Sequence, residues 1–245
     1  MYGYYYDPTY ILVLIGVILC VWASSRVNST YRKYARVRCY SGMTGAQAAQ
    51  RILQMSGIYD VQVQHVSGEL TDHYDPAHKV LRLSDSVYGS QSVAAIGVAA
   101  HECGHAVQHQ KGYLPLKIRS ALVPAANIGS SLGLPLVILG LILGIGFELP
   151  GGGYFSLAQI GIWVFSLAVL FQVVTLPVEF NASGRALKML GSYGIMSQDE
   201  VQDCKRVLGA AALTYVAAAA SSVLQLLRLI LLTGLSLIHI SEPTR

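Results

Sequence analysis

Charge is scarce in this chain. Only 12% of its 245 residues are Asp, Glu, Lys or Arg, about half the share of an ordinary soluble domain. None falls within 8–25, 120–147 or 154–178, which excludes a soluble globular enzyme of ordinary composition. Cysteine is also sparse. Cys20, Cys39, Cys103 and Cys204 form no CxxC pair, so a disulfide scaffold is excluded and reduced thiols are expected. The net charge of +4 sits in clusters beside apolar runs. It therefore reads as membrane orientation and argues against a nucleic-acid partner. No Lys or Arg precedes the first apolar run, which weakens a cleaved signal peptide as its explanation.

What is present is apolar, at 53% of residues, and arranged in spans. Residues 1–25 read as an N-terminal transmembrane helix, with Tyr2, Tyr4, Tyr5, Tyr6 and Tyr10 suited to the membrane interface. Arg26, Arg32, Lys33, Arg36 and Arg38 follow it, which places the N-terminus outside and residue 26 onward in the cytoplasm. Residues 121–178 read as a transmembrane hairpin. Pro124, Pro135 and glycines interrupt its first tract, and Glu148–Gly153 forms an outside turn without Lys or Arg. Residues 179–206 form a segment and a helix opened by Ser197 and Glu200 as a capping box. Residues 207–234 make a C-terminal apolar helix or helices, with Arg228 expected to snorkel to the interface. Residues 235–245 resemble a translated sequencing adapter, so His239 is set aside.

Residues 26–120 carry the chemistry. Thr44 caps a short helix that Gly57 stops. Val61–Gln64 and Lys79–Leu83 read as strands. A small sheet thus precedes Val98–Gln108, where His-Glu-x-x-His stands at 101–105. Residues four apart share a helix face, so His101 and His105 can point at one metal ion. Glu102 sits about 100° round, where it can take a proton from an attacking water. The flanks support a helix: Ser90 and Ser92 offer caps, Val93–Ala100 is small and apolar, and Gly112 can close the end.

Catalytic zinc takes three protein ligands. His109 lies about 12 Å along a regular helix from His101 and cannot share the ion. Cys103 points away from the pair. His65, His73, His78, Asp72 and Asp75 occupy turns and strands and are read as exposed rather than ligating. Glu179 is the best candidate, because a hairpin crossing twice returns it to the side of His101. The alternative is an interfacial carboxylate facing water. Asn181, Ser183 and Arg185 could orient a ligand.

Leu70–Pro76, Lys79–Ser84, the histidine motif behind Ala99-Ala100, Leu176–Ser183 and Ala211–Ala217 together resemble the YugP-like neutral zinc metallopeptidases, bacterial multi-pass membrane proteins. The resemblance implies zinc at His101 and His105, with Glu102 as the catalytic carboxylate. Similarity to glutamate-zincins favours Glu179 as third ligand.

The expected fold is a mainly α integral membrane protein with a small α+β zincin-like region. The expected function is a zinc endopeptidase of the cell membrane, one Zn2+ in its cytoplasmic-side site. It would cut proteins or peptides, membrane proteins among them. The rivals are an inactive zinc-bound scaffold and, further back, a transporter.

Overall fold

The computed structural model describes residues 7–149 and 153–240. Tyr2, Tyr4, Tyr5 and Tyr6, the hairpin tip at 150–152 and residues 241–245 of the adapter-like end lie outside them. The described residues are mainly helical with two small sheets, and four of the helices are long and apolar enough to cross a membrane.

α1 (Tyr10–Tyr34) carries the first apolar run and its basic tail in one helix. α2 (Gly45–Met55) starts on Thr44, which exchanges hydrogen bonds with Gln47 as a capping box. Gly57, at φ +74, lets the chain leave α2. Then come β1 (Gln62–His65), β2 (His73–Asp75) and β3 (Val80–Leu83). Their order is β1-β3-β2, with β1 parallel and β2 antiparallel to β3, so β2 is a sheet edge. One turn, α3 (Asp85–Tyr88), leads into α4 (Val93–Gln110). Ser92 caps α4 by accepting the Ala95 N–H at 3.2 Å.

The remaining elements are α5 (Leu114–Leu143), β4 (Gly146–Leu149), β5 (Gly153–Ser156), α6 (Leu157–Ser192) and α7 (Gln198–Ile240). Pro124 and Pro135 do not interrupt α5, as the sequence suggested they would. A proline removes one backbone donor, and in apolar surroundings a helix still satisfies more backbone groups than any break would. The two strands of the hairpin were not anticipated. At four residues each they are too short to display a period of two. Ser197 and Glu200 form the expected capping box at the start of α7: the Ser197 N–H donates to Glu200 Oε2 at 2.8 Å.

The chain divides into two compact units. The first comprises Ala23–Lys117 and Thr175–Tyr215. Its core joins Ile52 and Leu53 of α2, Leu81 and Leu83 of β3, Ile96 and Ala100 of α4, and Leu190 of α6. α4 is buried along most of its length, which its small residues permit. Gly104 matters most: a Cβ there would stand 2.5 Å from the Ala182 carbonyl oxygen of α6. Only glycine lets the two backbones approach this closely.

The second unit holds Ile118–Val174 with the chain up to Trp22 and from Val216 on. Here Val137, Ala158 and Leu229 form a small buried cluster. Close helix approach again depends on glycine. A Cβ at Gly140 would collide with the Ala158 backbone nitrogen, and small-residue seams of this kind let helices approach closely in membranes. Ile142 and Trp163 present more than half their surface outward. Arg228 reaches the residues around the start of α1. Its guanidinium donates to Asp7 at 3.2 Å and lies 4.1 Å from the Tyr10 ring centroid. A carboxylate and an aromatic face offset its desolvation locally.

Candidate metal centre

α4 presents His101 and His105 one turn apart, and α6 sets Glu179 against them. His101 Nε2 lies 3.2 Å from Glu179 Oε2, and His105 Nε2 lies 3.6 Å from it. The two Nε2 atoms are 3.2 Å apart. Among the described residues, these three side chains form the group whose ligand atoms could hold a metal ion, all within 4.8 Å of one another. Tetrahedral zinc with bonds of about 2.0–2.1 Å places neighbouring ligand atoms about 3.3–3.4 Å apart. The observed triangle matches that spacing, so the donor set fits zinc. The arrangement is also dry: the side chains of His101, His105 and Glu179 are 14%, 12% and 4% exposed.

The ring of His105 is oriented by Gln108, which is fully buried. Gln108 Nε2 donates to the Val178 carbonyl at 2.8 Å and to Asn181 Oδ1 at 3.0 Å. A backbone carbonyl only accepts, so the amide nitrogen must face α6 and Oε1 must face His105. His105 Nδ1, 3.0 Å from that oxygen, is then the protonated nitrogen in neutral imidazole. Nε2 is left with a free lone pair on the Glu179 side, as a metal ligand requires. Burial opposes charge on this ring, but Glu179 and Glu102 hold its pKa above the ordinary histidine value.

The residues suggested as orienting groups occupy different places. Ser183 Oγ lies 3.1 Å from His101 Nδ1, in direct contact with a candidate ligand. Asn181 reaches His105 only through Gln108, and Arg185 Nε donates to Asn181 Oδ1 at 2.7 Å. Gln108 itself was missed by sequence reading. Its signal was present: a glutamine three residues after His105 shares that face of an otherwise apolar helix.

Glu102 is buried and accepts the Tyr74 backbone N–H at 3.0 Å. Tyr74 belongs to the edge strand β2, and this N–H points away from β3. Glu102 lines a cavity of about 180 Å³ together with His101, Glu179, Asp72, Leu70 and Tyr215. Cys103 faces the other way, its thiol on the Ala49 carbonyl, and burial pushes its pKa well above the ordinary thiol value. His65, His73, His78 and His109 are engaged elsewhere. His65 pairs with Asp85, His78 with Asp75, and His109 with the Tyr74 hydroxyl. His73 Nδ1 lies on the Thr71 carbonyl. Asp72 accepts from the Ser84 N–H and hydroxyl.

A family profile described as "Putative neutral zinc metallopeptidase" matches residues 9–234. The chain belongs to that neutral zinc metallopeptidase family. It is also similar to the "Putative membrane protease YugP" of Bacillus subtilis (strain 168), with 45% identity over 221 residues, 90% of this chain and 94% of the relative. No solved structure matches. The resemblance carried by the scattered sequence motifs thus holds across most of the chain. The zinc of the neutral zinc metallopeptidases is the ion that the spacing of His101, His105 and Glu179 suits.

Proposed function

We propose that the chain is a membrane-embedded zinc endopeptidase that hydrolyses peptide bonds of protein substrates at the cytoplasmic membrane face. The observation that carries this reading is the triangle of His101, His105 and Glu179, two of whose members, His101 and Glu179, line one cavity with Glu102. A general base next to a metal triad has no use in a purely structural zinc site, which argues against the inactive scaffold. The basic residues after α1 support the cytoplasmic assignment. In this arrangement the N-terminal helix and the 121–178 hairpin cross the bilayer.

His101, His105 and Glu179 would hold one zinc ion, which supplies Lewis acidity that activates water and polarises a carbonyl. The chain's own groups do the rest. The Tyr74 N–H holds Glu102 Oε2, which leaves the other carboxylate oxygen to take a proton from the attacking water. Glu102 then delivers that proton to the nitrogen of the departing amine as the C–N bond breaks. Tyr215 lines the same cavity.

Purified Glu102→Gln tests this reading. It retains stoichiometric zinc and cleaves casein at least about a hundredfold more slowly than wild type. Cleavage at the wild-type rate would overturn the assignment.

A further inference from the structure

A second feature of the first unit lies apart from the metal centre. α1 and α7 flank an open groove of about 720 Å³ whose walls include Arg26, Lys33, Tyr34, Arg206, Gly209 and Ala210. On α1 the residues at 26, 30, 33 and 34 share a face, and on α7 so do 206, 209, 210 and 213. Opposite the cations, α7 carries Gly209 and Ala210, so no bulky side chain fills the space. Arg206 is anchored by Asp203 at 2.7 Å and donates to the Tyr34 hydroxyl at 3.2 Å. Among the described residues, Arg26 and Lys33 have no carboxylate partner.

The position of the groove along both helices is informative. α1 is uncharged up to Ser25 and basic from Arg26 on. α7 is charged up to Arg206 and uncharged from Val207 to Leu227. Both helices therefore change from charged to apolar at the same groove. A polar–apolar boundary on helices long and apolar enough to cross a membrane falls at the headgroup level of a bilayer.

We propose that this groove binds the phosphate of an anionic phospholipid headgroup. Arg26, Lys33 and Arg206 supply the positive charge, and the apolar stretches beyond them face the acyl chains. Arginine gives planar donors to phosphate oxygens, and the lysine adds a point charge. An inorganic phosphate would satisfy the same cations but would have no use for the apolar boundary, and this difference selects the lipid.

The test uses the full chain in detergent, with equal amounts of phosphatidylglycerol and phosphatidylcholine added before native mass spectrometry. Wild type retains phosphatidylglycerol in preference to phosphatidylcholine. R26A/K33A weakens that retention on the order of tenfold or more. R32A/R36A removes the same charge outside the groove and leaves retention unchanged. Both pairs are exposed, so folding is retained, and thermal unfolding checks it. Equal retention by R26A/K33A and wild type overturns the site, as does an equal loss in R32A/R36A. Binding of inorganic phosphate in a parallel titration, with no preference for phosphatidylglycerol, overturns the lipid assignment.

Discussion

The unit around α4 and the unit of the long apolar helices solve opposite problems. In the first, apolar residues such as Ile96 and Leu190 are fully buried, and polar groups buried with them are completely partnered. In the second, Ile142 and Trp163 face outward, and close packing falls to glycine seams. Each also encloses a charge. Glu179 meets two imidazole nitrogens whose orientation is set by further hydrogen bonds. Arg228 meets Asp7 and a tyrosine ring, while among the described residues its Nε has no hydrogen-bond partner. Enclosing a charge is therefore not enough to make a site. Convergence of several oriented donors at bonding separation is what distinguishes the first cluster.

The comparison breaks most visibly at the two carboxylates. Glu179→Ala should lower zinc affinity well beyond the roughly 10–100-fold that supporting groups cost, whereas Asp7→Asn should leave it unchanged. Metal analysis under a buffered chelator reads both, and undiminished zinc in Glu179→Ala would remove it from the ligand set.

Next come the two kinds of apolar residue. Leu190→Ala opens a cavity in a closed core and should cost about 2–5 kcal/mol. Ile142→Ala, 73% exposed, should change stability by less than about 0.5 kcal/mol. Unfolding in micelles measures the pair, and equal losses would mean that the second unit hides a core of its own.

Gln108→Leu keeps the volume but removes the amide, and it leaves His105 free to choose its tautomer. Zinc affinity should fall roughly 10–100-fold, and Gln108→Glu, which keeps the acceptor toward Nδ1, should recover part of it. Nitrogen chemical shifts of the His105 ring would follow the tautomer directly, and an unaltered pattern in Gln108→Leu would deny Gln108 that role.

The smallest effect is expected at Asp75. Hydrogen bonds from the His78 ring and the His78 N–H hold its carboxyl below the ordinary carboxylate range. A depressed pKa stabilises the fold above the unfolded-state value, and that contribution disappears as pH falls through the folded one. Asp75→Asn should therefore lower the unfolding temperature slightly near neutral pH, with the difference closing in acid. A difference independent of pH would show that the carboxylate charge is not what matters.

Much of this was legible without coordinates. The short helix at Thr44, the Ser92 cap and the Ser197 capping box are local hydrogen-bond patterns, and their residues announce them. The pairing of His101 with His105 follows from helical repeat alone. The continuity of α5 through two prolines and the brief strands β4 and β5 were not legible, because surroundings rather than local preference set them. The partner of Arg228 was not legible for the same reason: Asp7 lies more than two hundred residues away along the chain.

By itself, then, the sequence determined the apolar helices, the caps and the histidine spacing, because each depends on residues within a turn or two of one another. Only the tertiary structure decided that Glu179 completes the triangle and that Gln108 sets the ring of His105. Those contacts bridge α4 and α6 across some seventy residues or more of chain, and they exist because Gly104 lets the two backbones come close enough.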